Sequence, residues 1–342
     1  MQLTSAQHTL HFLSRLTLSK IWNAFKVFVS FYVSRVRKKP HVWGLPFSIS
    51  VEPTTACNLS CPECISGLKS FTRPTGNIHT GFFKQLVDGM HQHLLYLNFY
   101  FQGEPYLHKG LFDMIRYASS KGIYTSTSTN AHFLDDERAR STVESGLDRL
   151  IISIDGADQV TYGQYRIGGN LATVLSGTAN LISWKKRLKR KTPYVVFQFL
   201  VVRPNENQIE QIRQLAARIG VDDLWFKTAQ INDYEHDPHQ LIPTVHQYSR
   251  YRKDKHGTTV PVNTMPNHRW KMWHSQVITW NGLVVPCCFD KDAKHIMGNL
   301  KEQSIQEIWD SNKYNEFRLE LLRSRKNIDI CSNCSEGVKV WH

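Results

Sequence analysis

Apolar and polar positions change their spacing repeatedly between residues 46 and 228. Short apolar and β-branched runs predict six strands, at residues 47–51, 94–101, 123–128, 149–154, 195–202 and 223–227. Apolar positions three and four apart predict the intervening helices, at residues 81–93, 109–120, 135–145, 171–190 and 206–219. This alternation indicates a parallel sheet with right-handed crossovers. Six units are too few to close an eight-stranded barrel, so we expect an α/β fold: a partial (β/α)6, TIM-like barrel over residues 46–228.

A separate helical pattern covers residues 9–38, within an N-terminal segment of residues 1–45. Its apolar side chains fall on one stripe: Leu18, Ile21, Trp22, Phe25, Val29, Tyr32 and Val36. The polar side chains fall on the opposite side: Ser19, Asn23, Lys26, Ser30 and Ser34. Because polar residues interrupt the apolar run, the pattern predicts an amphipathic helix that ends before Pro40 and does not span a membrane.

The charge of the N-terminal segment bears on whether this helix binds a membrane or packs on the barrel. The chain carries a net charge of +13, and residues 1–45 supply +7 of it, from seven basic residues and no acidic one. A basic, aromatic-rich amphipathic helix is typical of an interfacial helix on an anionic leaflet, which would place the protein peripherally at the inner face of a membrane. The alternative is a helix that packs on its own barrel. No nucleic-acid partner is expected, because nothing else in the chain resembles a nucleic-acid-binding module.

The regular alternation ends at residue 228. Residues 229–268 are expected to form a linker over the barrel mouth, whose histidines are more typical of a solvated segment than of a metal site. Residues 276–280 and 283–286 predict a hairpin, and the intervening Asn281-Gly282 favours a type I′ turn. A helix is predicted near residues 304–325. Residues 269–342 are therefore expected to form a small hairpin-plus-helix domain.

Seven cysteines occur in two distant groups: Cys57, Cys61 and Cys64, then Cys287, Cys288, Cys331 and Cys334. The odd number and tight spacing favour metal or cluster binding over a disulfide framework, and so a reducing, cytoplasmic compartment. The first group, with C-x3-C-x2-C spacing, can hold three corners of a cubane cluster or three of the four ligands of a zinc ion. The nearest further candidate ligand downstream is His79. A three-cysteine cubane leaves one iron with an open coordination position.

This cysteine motif, directly after the first predicted strand, resembles that of the radical S-adenosylmethionine (SAM) enzymes. The resemblance implies a [4Fe–4S] cluster whose open iron is chelated by SAM. It further implies reductive cleavage to a 5′-deoxyadenosyl radical, hydrogen abstraction from a substrate, and an external electron donor such as flavodoxin or ferredoxin. The substrate is left open among a peptide, a sugar-like small molecule and a lipid-linked precursor. The alternative function is a non-catalytic iron–sulfur or zinc scaffold that binds a partner.

The resemblance also implies SAM contacts at the ends of the later strands. The corresponding residues are Gly103, Glu104, Pro105, Ser128, Asn130, Ser153, Asp155 and Arg166. Gly103, Glu104 and Pro105 stand at the family's GGE position, whose backbone and glutamate meet the SAM amino group. Ser153 would contact the SAM ribose or carboxylate, and Arg166 would pair with the carboxylate.

Two positions depart from the family pattern. Ala131 stands where a glycine is frequent, so the loop geometry there is expected to differ. Glu63 stands where many members have an aromatic residue that stacks on adenine, so adenine contacts must come from backbone or from other side chains. Asn205, after the fifth strand, either contacts adenosine or caps the next helix.

The C-terminal order of hairpin, paired cysteines, helix and C-x2-C resembles the SPASM/twitch extensions of radical SAM enzymes. The resemblance implies one auxiliary [4Fe–4S] cluster, with zinc as the alternative. Cys287, Cys331 and Cys334 are the expected ligands. The fourth ligand is left open among Cys288, His268, His274 and no protein ligand at all.

Overall fold

The computed structural model describes residues 5–262, 267 and 269–334. Its strands are β1 (Ser48–Val51), β2 (Tyr96–Asn98), β3 (Tyr124–Thr129), β4 (Arg149–Ser153), β5 (Tyr194–Val201), β6 (Asp223–Thr228), β7 (Tyr251–Lys253), β8 (Thr259–Pro261), β9 (Ser275–Ile278), β10 (Leu283–Val285) and β11 (Gly298–Asn299). Nine of these strands form one sheet in the order β11-β10-β9-β1-β2-β3-β4-β5-β6. Strands β1 to β6 pair in parallel. The predicted α/β fold with a partial parallel barrel is therefore confirmed.

Twelve α-helices accompany these strands in the described part of the chain, and those between the barrel strands pack on the outer face of the sheet. They are α1 (Ser5–Leu13), α2 (Leu18–Arg37), α3 (Thr80–Met90), α4 (Leu111–Ser120), α5 (Asp136–Glu144), α6 (Gln159–Tyr165), α7 (Leu171–Arg187), α8 (Ile209–Ile219), α9 (Lys271–His274), α10 (Ile305–Trp309), α11 (Asn312–Ser324) and α12 (Asp329–Ser332). The five helices predicted between the barrel strands correspond to α3, α4, α5, α7 and α8. The short α6, after β4, was not predicted.

The two faces of the barrel strands differ in polarity. On the outer face, Ile49, Leu97 and Phe197 are fully buried in the main core, and burial of each side chain contributes about 1.5–3 kcal/mol. On the inner face, the guanidinium of Arg149 lies 5.4 Å from the ring centroid of Tyr96. Because the strands are parallel, their carboxyl ends share one rim, where the following loops converge.

The N-terminal pattern forms two helices rather than the single one predicted. Thr17 starts α2, because its hydroxyl accepts a hydrogen bond from the backbone N–H three residues later. The segment before this break lies across the starts of the barrel strands. His8 stacks on Tyr194 with ring centroids 4.1 Å apart, and Arg15 donates to Asp148 at 2.8 Å. The two helices thus follow the rim opposite the barrel mouth.

Helix α2 packs with its more polar side inward. The ammonium of Lys20 donates to the carbonyl of Gly122 at 2.6 Å, and Asn23 exchanges two hydrogen bonds of 2.9 Å with the backbone of Leu45. Most of the apolar stripe faces solvent instead, with exposed fractions of 45–87 % for Leu18, Ile21, Trp22, Phe25, Tyr32 and Val36. Val29, the remaining member, is half-buried, and Phe28, which was not part of the predicted stripe, is 50 % exposed. In the described part of the chain, no helix is long and apolar enough to cross a bilayer.

The C-terminal hairpin extends the barrel sheet, since β9 pairs in parallel with β1 and β10 pairs with β9. The predicted type I′ turn is wrong, because a positive φ is found at Gly282 (93°) but not at Asn281. The N–H of Gly282 instead donates to the carbonyl of Thr279 at 3.0 Å.

The helix predicted near residues 304–325 is broken into α10 and α11, since Ser311 caps the second. Within the predicted linker, β7 and β8 form a short ribbon.

Candidate active site

The first cysteine group lies on the loop that leaves the carboxyl end of β1. Glu52 anchors the start of this loop, because its buried carboxylate accepts hydrogen bonds from both terminal nitrogens of Arg73, at 2.5 and 2.9 Å. The backbone N–H of Trp280, in the C-terminal hairpin, donates to the same carboxylate at 3.2 Å. The hairpin therefore helps to fix the cysteine loop.

The three thiols of this loop pack into one cluster of side chains with Tyr165 and Val202. None of them forms a disulfide. Burial raises the pKa of Cys57 to about 11 and also raises the pKa of Cys61. A thiol binds metal as a thiolate, so loading this site must release protons.

The donor set fits a cluster. A groove of about 460 Å³ adjoins Cys57 and is also lined by Ser66, Phe71 and Asn77. Within the described ranges, no three His, Cys, Asp or Glu side chains are placed to hold one metal ion together. A cubane makes a different demand on the protein, because each cysteine binds a different iron.

Gly103 and Glu104 hold the turn after β2 against the cysteine loop. Gly103 has a φ of 75°, and a Cβ there would lie 2.3 Å from the carbonyl oxygen of Thr54, so the close approach requires glycine. The N–H of Glu104 donates to the carbonyl of Ala56 at 2.7 Å. The N–H of Gly103 donates to the Ser66 hydroxyl at 2.9 Å, a contact that the sequence did not suggest.

The carboxylate of Glu104 is buried and engaged within the protein. It accepts hydrogen bonds from the N–H of Tyr106 at 3.1 Å, the Thr129 hydroxyl at 2.8 Å and the N–H of Asn130 at 2.7 Å. Burial raises the pKa of Glu104 to about 6. Three of its roughly four acceptor positions are thus used, and the carboxylate joins the ends of β2 and β3.

We expect Glu104→Gln to weaken SAM binding by roughly ten- to a hundredfold, equivalent to about 1.5–3 kcal/mol. The glutamine NH2 group would face either the N–H of Asn130 or the donors of Tyr106 and Thr129. Because two donors would then face each other, the loop after β3 should shift. The measurement is anaerobic titration with SAM, and Glu144→Gln, at an exposed site on α5, is the matched control. Equal affinity in the two variants would contradict this role for Glu104.

The loop after β3 reaches the cysteine loop through Asn130, whose side-chain amide donates to Asn58 at 2.7 Å. Ala131 has a φ of 62°, in the left-handed region that glycine enters without strain. The alanine therefore adopts a strained conformation at the position where the sequence departs from the family pattern. Ser128 lies half-buried at the end of β3.

Asp155 and Arg166 form a buried ion pair after β4. The Nε of Arg166 donates to Asp155 at 2.5 Å, and the N–H of Leu200 donates to the other carboxylate oxygen at 2.7 Å. A terminal nitrogen of Arg166 lies 3.7 Å from the Sγ of Cys61. Arg166 thus contacts both a carboxylate and a cysteine of the motif, while Ser153 lies buried at the end of β4.

Asn205 is fully buried and donates to the carbonyls of Asp155 and Leu200, both at 2.9 Å. Its oxygen accepts from the N–H of Val202 at 2.8 Å. These contacts brace the ends of β4 and β5, and Asn205 does not cap the next α-helix, because the N-cap of α8 is Gln208.

Glu63 joins the two cysteine groups. Its carboxylate accepts a hydrogen bond of 2.7 Å from the N–H of Asn232, in the segment after β6. The next carbonyl back, that of Ile231, accepts from the side chain of Asn333 at 2.6 Å. Asn333 precedes Cys334, so a short path of hydrogen bonds runs between the loops of the two groups. Neither contact could be predicted from spacing, because the partners lie 169 and 102 residues apart.

The second cysteine group lies in a core shared with α2. Cys287 and Cys331 are buried there beside Val27, Phe31 and Trp273. Cys334 is also buried. The sequence-predicted ligands Cys287, Cys331 and Cys334 thus all lie in the interior, on the side of the hairpin away from solvent.

Basic side chains surround this second group. Lys271 donates to the Sγ of Cys288 at 3.2 Å, and the Cys287 thiol and the Lys271 ammonium hold the pKa of Cys288 well below its usual range. Arg250, Arg269 and Arg325 are also buried near these cysteines. Buried cations require negative charge nearby, and thiolates bound to an iron–sulfur cluster supply it. The donor set therefore fits an anionic cluster.

The candidates for a fourth ligand are placed differently. His274 stacks on Phe47 with ring centroids 5.0 Å apart, and burial lowers its pKa to about 4. Cys288 lies against Lys271. His268 is outside the described residues. The choice of the fourth ligand stays a prediction.

Comparisons with known proteins agree with this arrangement. A radical SAM superfamily model matches residues 51–219, and a SPASM model, described as an iron–sulfur cluster-binding domain, matches residues 270–335. The tungsten-containing aldehyde ferredoxin oxidoreductase cofactor-modifying protein of Pyrococcus furiosus is 24 % identical over 314 residues, covering 83 % of this chain and 86 % of the relative. The PqqA peptide cyclase of Rhizobium meliloti is 25 % identical over 322 residues, covering 83 % and 81 %.

Among solved structures, Streptococcus suis SuiB bound to SAM superposes with a TM-score of 0.63 at 12 % identity, covering 88 % of this chain and 75 % of SuiB. This likeness supports the fold. The two domain matches imply a SAM-binding [4Fe–4S] cluster, SAM itself and auxiliary iron–sulfur clusters. The chain is therefore an enzyme of the radical SAM superfamily with a C-terminal SPASM domain.

Proposed function

We propose that Cys57, Cys61 and Cys64 hold the cluster at which SAM binds. The main support is the shared packing of three free thiols at the carboxyl end of β1, beside the turn at Gly103. When bound, the two cofactors together supply one-electron cleavage of SAM and hydrogen-atom abstraction from a substrate. The electron would come from an external donor of the flavodoxin or ferredoxin class.

The protein's own residues would position SAM and keep the cysteine loop in place. We propose this role for eight residues: Gly103, Glu104, Pro105, Ser128, Asn130, Ser153, Asp155 and Arg166. The buried ion pair of Arg166 with Asp155 supports a positioning role, because it fixes a guanidinium 3.7 Å from the Sγ of Cys61. Because Arg166 already pairs with Asp155, these contacts argue against a role in which its only partner is the SAM carboxylate.

The second cluster would bind Cys287, Cys331 and Cys334, with Cys288 as the nearest candidate for the fourth ligand. For the substrate we propose a peptide or a small molecule that enters at the carboxyl ends of the strands. One relative is named as a peptide cyclase and another as a cofactor-modifying protein, which supports both classes.

The experiment that tests this function is anaerobic reconstitution of the wild-type protein with iron and sulfide, followed by SAM and dithionite. We expect 5′-deoxyadenosine to form, measured by chromatography. A protein that binds both clusters but forms none would contradict the proposal and favour a non-catalytic scaffold.

We also infer that α2 binds an anionic membrane surface. The support is the outward-facing apolar surface of α2, made of six residues of the stripe and Phe28, on a segment with no acidic residue. Exposed aromatic side chains bury apolar area in the interface, and nearby lysines and arginines are attracted to anionic lipid. Binding should weaken as salt is raised, because the charge contribution is screened.

We expect the double variant Trp22→Ser, Phe25→Ser to bind vesicles of phosphatidylglycerol at least roughly a hundredfold more weakly, since two aromatic side chains contribute about 3 kcal/mol or more. The measurement is co-sedimentation at low salt. Val160→Ser is the control, because it removes an apolar side chain on α6 that is 75 % exposed and lies away from α2 in the sequence. Equal binding by the double variant and the control would rule out the stripe as the contact surface.

A further inference from the structure

A basic groove lies at the carboxyl end of α2. It has a volume of about 480 Å³ and is lined by Arg35, Lys38, Asn267, Leu322 and Arg323. Two of its cations come from α2 and its C-cap, and the third comes from α11, almost three hundred residues later. The groove thus combines distant parts of the chain in one positively charged site.

Among the residues that the structure describes, no carboxylate balances the charge of this groove. Neither Arg35, Lys38 nor Arg323 forms an ion pair within the described ranges, and no acidic residue lines the groove. Its wall is fixed, because the side chain of Asn267 donates to the carbonyl of Arg323 at 2.7 Å and accepts from the N–H of Arg325 at 3.0 Å. The groove therefore offers donors to an anion from outside the protein.

The groove borders the apolar stripe. The guanidinium of Arg35 lies 5.6 Å from the ring centroids of both Phe31, which is buried, and Tyr32, which belongs to the stripe. Val36, the last residue of the stripe, is 82 % exposed beside it. A ligand with an anionic head for the basic groove and an apolar tail for the adjacent stripe would match the two surfaces.

We propose that the groove of Arg35, Lys38 and Arg323 binds the phosphate headgroup of an anionic phospholipid, and that the bound enzyme turns its barrel mouth away from the bilayer. This inference rests on the membrane binding proposed above. It adds a specific headgroup site and an orientation, which the stripe alone does not define.

The orientation follows from where α1 and α2 touch the barrel. Their contacts to Gly122, Asp148 and Tyr194 lie at the starts of strands β3, β4 and β5, and α2 also contacts Leu45, just before β1, and the core that contains Cys287. The cysteine loop leaves the opposite end of β1. A strand of six to eight residues spans roughly 20–26 Å, so the mouth would open toward the aqueous side about that far from the membrane-facing rim. A soluble peptide or small molecule fits this geometry better than a substrate held in the lipid layer.

The test uses full-length protein and vesicles of phosphatidylcholine with or without phosphatidylglycerol. We expect Arg323→Glu and Lys38→Glu each to weaken binding to the anionic vesicles by about tenfold or more. Lys255→Glu, at an exposed site in the segment after β6, makes the same change in net charge and should bind like wild type. Circular dichroism and thermal unfolding would check that the variants fold alike.

The outcomes separate the two claims. If wild type ignores the anionic vesicles, membrane binding itself fails and the headgroup site fails with it. If wild type binds but Arg323→Glu matches Lys255→Glu, only the headgroup site is overturned. If inorganic phosphate binds wild type in solution, and Arg323→Glu abolishes that binding while leaving vesicle binding like that of Lys255→Glu, the groove is a site for free phosphate and the lipid assignment is overturned.

Hydrogen exchange on the vesicles tests the orientation. We expect protection within residues 18–37 and near residue 323, with exchange in residues 229–262 unchanged. Protection of residues 229–262, next to the cysteine loop, would overturn the proposed orientation.

Discussion

Cys57→Ala is expected to abolish the formation of 5′-deoxyadenosine and to remove about half of the bound iron. In the proposed site, three cysteines and SAM would complete one cubane, so loss of a thiolate should remove an iron corner and with it the cluster. Fully reconstituted wild type should bind about eight irons per chain, and Cys57→Ala about four. Iron analysis and chromatography of the products provide the two measurements.

Cys331→Ala is the matched variant for the second site. It should also bind about four irons, but it should retain the cluster that binds SAM. Wild-type iron near four per chain after full reconstitution would contradict the assignment of one four-iron cluster to each cysteine group. Unchanged product formation by Cys57→Ala would contradict the assignment of the SAM site.

Removal of residues 1–40 is expected to destabilise the enzyme strongly. Asp148 is buried and pairs with Arg15 at 2.8 Å and with His11 at 2.5 Å, so the truncation removes both ion-pair partners and leaves the carboxylate only its hydrogen bonds from Thr125. Breaking such a pair costs about 3–5 kcal/mol of the free energy of unfolding. Val27 and Phe31 would also leave the core that contains Cys287, so auxiliary iron should be lost first.

Denaturant unfolding of the truncated and full-length proteins measures this cost. The double variant at Trp22 and Phe25 is the control, because it alters the exposed side of the same helix and should keep the wild-type stability. A truncated protein as stable as the full-length chain would show that α1 and α2 contribute nothing to the fold. The interfacial and packed interpretations of this helix are therefore compatible, since each uses a different face.

Local sequence patterns predicted most of the barrel. The parallel strands are buried and rich in β-branched residues, and their helices begin at good caps, such as Asp135 at the start of α5. The pattern failed where a single residue interrupts a helix: Thr17 and Ser311 each start a new helix within a run that looks continuous. From the sequence alone, a serine or threonine at such a position is equally compatible with an exposed residue inside a helix and with an N-cap.

The orientation of α2 could not be read from its apolar stripe. Hydrophobicity alone would turn the stripe inward, yet Lys20 and Asn23 make hydrogen bonds to the barrel side. The nitrogen of Trp273 also lies 3.2 Å from the Ser34 hydroxyl, to which it donates. Specific polar contacts, together with the burial of Val27 and Phe31, thus fix the face that packs, and several of the partners lie far along the chain.

For the candidate site too, the sequence predicted the location of the parts but not the contacts between their side chains. The cysteine spacing and the strand ends located its parts, because loops after parallel strands meet at one rim. The pairing of Asp155 with Arg166 and the link from Glu63 to Asn232 required the three-dimensional structure. A charged side chain in sequence does not reveal whether its partner is a cofactor or another residue of the protein.

The measurement that tests the central claim most directly is electron paramagnetic resonance of reduced Cys331→Ala with and without SAM. This variant should retain the cluster of Cys57, Cys61 and Cys64 while lacking the second cluster, so its spectrum would report on one site. We predict that SAM changes the spectrum, because in the proposed site SAM would bind the iron that has no cysteine ligand. A reduced cluster whose spectrum is identical with and without saturating SAM would contradict the account.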